Sequence, residues 1–289
     1  MKIKRFIHIV ASVAALSTLS SCLQNEVTVH LKSNGSGTVV EETILGAQMS
    51  AMLGGMGGMM SPDGQAAKNP IDEMASKEKA KEKAAEMGEG VTVQKIEKID
   101  KDGKKGVRVT YAFEDINKLK LSLNSGAKAM EGMGDDMPGK KAEKVEKDEG
   151  DPVRFKYEDG TLTILVPHAD KDAAAKAKKP EGAPAAADVA KEMKKDPQAE
   201  AMMKAVFADM KMAVRVVVEP GIKKSDATYV DDKTITLMEM NFGEIMQDEK
   251  GMKKLDELEG KSPEDVAELL KGIKGVKIET KEKIEVKMK

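Results

Sequence analysis

Four pairs of stretches and the last residues of this chain alternate apolar and polar residues with a period of two, and Gly-bearing turns join most of the pairs. Val27, Val29 and Leu31 alternate with polar residues, Asn34-Gly35-Ser36-Gly37 turns the chain, and Thr38 to Leu45 returns. Val91 to Asp100 leads through Asp102-Gly103 into Val107, Val109, Tyr111 and Phe113. Val153, Phe155 and Tyr157 reach Asp159-Gly160, and Leu162, Ile164 and Val166 follow. A fourth pair runs from Ala213 to Glu219 and back through Thr234 to Met240, and the last residues set Val276, Ile278, Ile284, Val286 and Met288 among Lys and Glu. Successive strand residues point to opposite faces, so the pattern describes antiparallel sheet with one wet face. Asn-Gly and Asp-Gly supply the positive φ that tight hairpins require.

Helical patterns interrupt the strands. Ile71 to Met87 is rich in Glu, Lys and Ala, and Gln198 to Met212 spaces Met202, Val206 and Met210 as on one helix face. Ser262-Pro263-Glu264-Asp265 is a helix start, with a capping Ser, Pro at the first helical position and acid in the first turn; Val266, Leu269, Leu270 and Ile273 follow it. The predicted fold is therefore α+β: antiparallel hairpins forming one twisted sheet, with inserted helices on one face. Residues about 124–151 and 170–187, rich in Lys, Glu, Gly, Ala and Pro, read as flexible insertions. Residues 22–250 form the α+β domain, and 251–289 add a C-terminal helix and strand to it. Phe113-Glu114-Asp115-Ile116 and Phe242-Gly243-Glu244-Ile245 each read as a strand leaving the sheet into a helix start.

The amino-terminal residues carry an address. Lys2, Lys4 and Arg5 precede an apolar run from Phe6 to Thr18, and Leu19-Ser20-Ser21-Cys22 follows. This is the layout of a signal peptide over 1–21, with a run too short to span a bilayer. Leu-Ser-Ser-Cys resembles the lipobox of bacterial lipoproteins. That resemblance implies cleavage between Ser21 and Cys22 and diacylation of the Cys22 thiol, which is the one cysteine of the chain. Acyl chains contribute ~0.8 kcal/mol per buried CH₂, so two or three of them anchor a protein almost permanently. Leu23 stands where an Asp commonly retains such lipoproteins at the inner membrane. In a Gram-negative host the expected location is the outer membrane, facing the periplasm.

The order of the motifs also carries a resemblance. After the lipidated cysteine come a strand and Asn34-Gly35-Ser36-Gly37, a helix, the strand ending Tyr111-Ala112-Phe113-Glu114-Asp115, and the Asp159-Gly160 hairpin. Val216-Val217-Val218-Glu219-Pro220-Gly221, Asp226-Ala227-Thr228 and a strand returning after Asp231-Asp232-Lys233 complete the series. This resembles the LppM-like domain of bacterial lipoproteins over about residues 23–247. Leu237 and Met238 stand where members often carry an aromatic. The resemblance implies an envelope-exposed α+β domain with an apolar or glycolipid ligand, and it transfers no catalytic residue.

Several chemistries find little support in the residues. Without residues 1–21, which hold three of the 48 basic residues and no acid, the chain carries 45 basic and 50 acidic residues, a net charge of −5. Mixed signs and 3% aromatic residues leave neither a basic stripe for a phosphate backbone nor a stacking platform, so no nucleic-acid partner is expected. His30 and His168 stand apart from any metal-ligand spacing, and no Gly-x-Ser-x-Gly elbow or Walker loop occurs. Asp100-Lys101-Asp102-Gly103 imitates the opening of a calcium loop, but Tyr111 occupies the closing position, and the dipeptide reads as a hairpin turn. Asp135-Asp136 and Asp231-Asp232 read as solvated turns. No enzyme activity, catalytic residue or cofactor is expected.

The 21 methionines are the remaining signal. Met49, Met52, Met56 and Met59, with Met60 adjacent, recur at three and four residues and would form one soft face on a helix. That face could pack onto the sheet as core, meet lipid or a partner as an adaptable surface, or bind Cu(I) through the thioethers of Met49, Met52 and Met56. The expected function is a non-enzymatic envelope lipoprotein, held to the membrane through acylated Cys22 and binding lipid, glycolipid or an envelope protein. A Met-rich periplasmic Cu(I)-binding protein is the alternative.

Overall fold

The computed structural model describes residues 23–46, 50, 70–101, 104–123, 151–167, 210–248, 250, 251, 254, 257 and 268–289. The α+β class holds, but the strands divide between two sheets. The larger one is eight-stranded, in the order β10(Val230–Asp231), β11(Thr234–Asn241), β8(Lys211–Val218), β1(Leu23–Leu31), β2(Gly37–Leu45), β4(Lys104–Phe113) and β3(Thr92–Lys101). β12(Val276–Ile278) also pairs with β11. The smaller sheet is five-stranded, ordered β5(Lys120–Leu121), β6(Val153–Glu158), β7(Thr161–Leu165), β13(Lys283–Met288) and β9(Ile222–Ser225). One hydrophobic core holds residues of both, with Val29, Val39 and Val216 of the large sheet and Leu162, Ile164 and Val286 of the small one fully buried.

All four predicted hairpins form, each antiparallel. The partition between sheets arises where β8 ends. β8 runs parallel to β1, and the Glu219 N–H donates to the Leu31 carbonyl at 2.9 Å, extending the ladder by one bond. Pro220-Gly221 then turns the chain out of the large sheet, and the next residues form β9 on the edge of the small one. β10 returns to the large sheet, and the chain crosses again between β12 and β13. The buried Glu279 carboxylate clasps these two crossings. It accepts from the Thr228 N–H at 2.6 Å, the Thr228 hydroxyl at 2.7 Å and the Thr280 and Lys281 N–H groups at 3.1 and 3.2 Å. Asp226 completes the clasp by accepting from the Glu285 N–H at 2.7 Å.

The helical pattern over Ile71 to Met87 resolves into two helices, α1(Pro70–Met74) and α2(Lys77–Met87). Ser76 breaks it: its backbone is extended, and its side chain caps α2 by accepting from the Lys79 N–H. α2 lays Ala80, Ala84 and Met87 into the core beside β3. Of the helical pattern from Gln198 to Met212, residues 198–209 lie outside the described residues, and Lys211 and Met212 pair with Gln24 and Asn25 as strand instead. Helix–strand exits occur after β4 and β11. Asp115 caps a 3₁₀ turn at Ile116–Lys118, and Asn241 caps α3(Phe242–Gln247). Residues 268–270 are helical, with Leu270 fully buried, whereas the Ser262 start signal lies outside the described residues. Residues 1–22 and 170–187, and 124–150 of the first insertion, lie outside them too. Every described strand finds its partners within 23–289, so a chain beginning at Leu23 retains the whole fold.

The Asn34-Gly35-Ser36-Gly37 turn is a docking point between the sheets. Tyr157 of β6 donates its hydroxyl to the Ser33 carbonyl at 2.6 Å, and the Ile116 N–H donates to the Gly35 carbonyl at 2.9 Å. At Gly37 a Cβ would lie 1.9 Å from the His30 carbonyl oxygen and 2.7 Å from Phe113, so Gly37→Ala must pry open the β1–β2 ladder. Its expected cost is about 3 kcal/mol in chemical denaturation. Gly160 has φ +71 but open space around its Cβ position, so Gly160→Ala should lose only ~1 kcal/mol, the cost of the left-handed backbone.

Candidate functional site

Ser21, Cys22, Met49, Met52, Met56, Met59 and Met60 all lie outside the described residues, but the strands leading to them do not. β1 begins at Leu23, one residue after Cys22, and β2 ends at Leu45, shortly before Met49. Leu23 and Leu45 are register partners, with Cα atoms about 5 Å apart. The chain therefore leaves toward the predicted lipidation site and toward the predicted methionine face from adjacent strands at one end of the large sheet. Both leucines are buried, at 3% and 1% exposure.

Inward from this end lies a polar seam within the core face. Asn25 and Thr43 face each other across β1 and β2, and the Asn25 amide donates to the Thr43 hydroxyl at 2.9 Å. One register step further, Glu41 lies opposite Val27, and Lys83 of α2 reaches down to form an ion pair with it. Tyr111 of β4 is buried near Glu41. Burial pushes its hydroxyl well above the usual phenol range, and the charges of Glu41 and Glu86 push it further. It is a neutral phenol at any physiological pH. The seam thus offers an amide, a hydroxyl, a phenol and one compensated ion pair inside an apolar layer. Asn25 and Thr43 bond each other, Glu41 pairs with Lys83, and no uncompensated charge remains in the seam. Asn25, Glu41 and Thr43 occupy apolar positions of the period-two pattern, and that break is the signal by which the sequence could have disclosed them.

The opposite, outward face of the large sheet is charged and closely paired. Arg215 bridges Glu26 at 3.0 Å and Glu239 at 2.6 Å, while Lys211 reaches Glu26 at 3.1 Å and Lys277 reaches Glu239 at 3.4 Å. This lattice crosses β1, β8, β11 and β12. His30 sits on the same face, half-buried between Thr38 of β2 and Val217 of β8, and His168 is outside the described residues. Asp100 lies in β3 opposite Lys105, Asp231 pairs with Thr234 in a hairpin, and Asp102 and Asp135-Asp136 lie outside the described residues. Among the described residues, His, Cys, Asp and Glu form no group of three or more fit to hold a metal ion. Three methionines lie close in register: Met212 is the register partner of Met240, and Met238 lies two residues along the same strand.

Two outcomes follow. Lys83→Met leaves the Glu41 carboxylate buried without its partner and should destabilise the fold by ~2 kcal/mol, while Glu41→Leu in the same chain should restore most of it, as a double-mutant cycle would show. For Glu239, burial pushes the carboxyl up, but the Arg215 hydrogen bond and the charges of Lys277, Arg215 and Lys211 outweigh it and hold the group below the usual carboxylate range. Its contribution to stability is therefore present above about pH 4.3, the ordinary unfolded value, and is lost as pH falls through the lower folded value. Glu239→Gln should cost ~1 kcal/mol at neutral pH and flatten the acid limb of the stability curve.

No family model matches the chain, and no curated protein matches it. Among solved structures, the chain is similar to the folded domain of LppM from Mycobacterium tuberculosis, determined by NMR, with a TM-score of 0.29 and 9% identity over 79% of this chain and 88% of that one. At that score and identity the likeness carries no argument about function.

Proposed function

We propose that the protein is a lipid-anchored lipoprotein of the bacterial envelope, without enzymatic activity, whose domain binds a lipid, a glycolipid or an envelope protein. The observation that carries this reading is the Leu23–Leu45 register. It sets the exit toward Cys22 beside the exit toward Met49–Met60, so an acylated cysteine would hold the methionine segment at the bilayer. The lipobox-like Leu19-Ser20-Ser21-Cys22 and the preceding basic and apolar run support the anchor itself. Leu23, in place of Asp, favours the outer membrane in a Gram-negative host.

A second reading is Cu(I) binding through thioethers. The opposed Met212 and Met240, with Met238 alongside, favour it beyond the sequence pattern at Met49, Met52 and Met56. Cu(I) titration against free methionine separates the two: affinity no better than the free amino acid removes the metal reading.

The anchor is tested by metabolic labelling with an alkyne palmitate analogue, followed by membrane fractionation and intact mass. The wild-type chain should carry the label, lack residues 1–21 and remain with membranes. Cys22→Ala should carry no label and shift to the soluble fraction. A mature chain with a free thiol, or one still bearing its leader, contradicts the proposal. Native mass spectrometry of the purified lipoprotein then reads any lipid held beyond the covalent acyl chains.

A further inference from the structure

The outward face of the small sheet concentrates positive charge. Lys120, Arg154, Lys156, Lys224, Lys283 and Lys287 point away from the core, against two carboxylates on the strands, Glu158 and Glu285, and Asp226 opposite Glu285 at the edge, for a net charge of +3. The chain without residues 1–21 is net acidic at −5, so this face runs against the whole. Both carboxylates are already engaged along their own strands, Glu158 by Lys156 at 2.9 Å and Glu285 by Lys283 at 2.7 Å. Among the described residues, Lys120, Arg154, Lys224 and Lys287 form no ion pair. The large sheet differs, since Arg215, Lys211, Lys277 and Arg108 on its outward face each meet a glutamate.

An apolar side chain sits within this charge. Lys120 pairs with Arg154, Arg154 with Leu165, and Leu165 with Lys283, which makes one row across four strands, about 14 Å wide. Leu165 is 42% exposed, and among the described residues only Val230 matches it as an exposed large apolar side chain. The row also has a defined place in the fold. β6 meets the β1–β2 turn of the large sheet through the Tyr157 hydroxyl on the Ser33 carbonyl, and at this same corner the Met288 and Lys289 N–H groups close β13 onto the Gly160 and Gly221 carbonyls. The row lies at the ends of these strands remote from that corner, and Leu23 lies at the remote end of β1.

We propose that this face docks on an anionic bilayer, with its cations against lipid phosphates and Leu165 entering the interfacial layer. The cations share one sheet face and can meet a bilayer surface together, and the unpaired ones lose no existing partner on docking. The proposal rests on the membrane-anchored reading for its setting, and it supplies a second contact that would hold the domain down on the surface near its anchor.

The test uses the 23–289 polypeptide, which retains the whole fold and lacks Cys22, in sedimentation with vesicles of equimolar phosphatidylglycerol and phosphatidylcholine or of phosphatidylcholine alone. The protein should partition onto the anionic vesicles, and added salt should release it. Each neutralised unpaired cation should lower partitioning roughly fivefold, so Arg154→Gln with Lys120→Gln lowers it about 25-fold. Leu165→Ser should weaken it without changing the salt dependence. Lys81→Gln with Lys95→Gln, equal in charge but placed elsewhere, should leave it unchanged. Equal partitioning onto both vesicle types, no partitioning onto either, or an equal loss in the Lys81 and Lys95 variant overturns the proposal. Because Cys22 is absent, none of these outcomes bears on the labelling result for the anchor.

Discussion

The fold depends on the parallel pairing of β1 with β8, residues separated by most of the chain. β1 has β2 on one side through a local hairpin and β8 on the other through no local device at all. What selects β8 is apolar complementarity: Val27, Val29 and Leu31 align with Val214, Val216 and Val218, and all six are buried to 3% exposure or less. Each such side chain contributes roughly 1.5–3 kcal/mol when fully removed from water. The join also delivers the rest. It aims Glu219-Pro220-Gly221 at the corner, so that β9 falls onto the small sheet and β11 returns beside β8. A closure this distant in sequence belongs to slow-folding topologies, because the loop entropy is spent before the contacts form.

Charge is handled in three ways, and the contrast separates structure from surface. Inside, one ion pair between Glu41 and Lys83 is admitted beneath a helix. On the outward face of the large sheet, cations and carboxylates interlock across four strands, which holds β12 against β11 and makes that face self-sufficient. On the small sheet the cations outnumber the acids and stand open. Compensation within a surface leaves little to offer a partner, whereas excess of one sign is available at a distance.

The local half of this fold was legible. Three hairpins announced themselves by alternation and by Asn-Gly or Asp-Gly, since register and turn chemistry are written within a dozen residues, whereas the β8–β11 pair closes across β9 and β10. Whether those hairpins shared one sheet was not, because Pro220-Gly221 reads as an ordinary turn until β9 and β13 are seen together on the small sheet. Composition over Ile71 to Met87 describes a single helix, and the break at Ser76 comes from a side chain that caps the second one. At the site, Leu23 and Leu45 were each plain strand residues. Their pairing, which joins two separate sequence signals at one place, follows from the hairpin register, while Asn25, Glu41 and Thr43 stood as unremarked breaks in an apolar stripe.

β1 is a central strand, and it is also the one that the anchor would load. A membrane that flexes or flows would tug on Leu23 along the length of a nine-residue strand, about 30 Å, clamped by ladders on both flanks. Force in that direction must shear both ladders together and cannot peel them one bond at a time, so the domain would behave as a stiff fitting bolted through its middle.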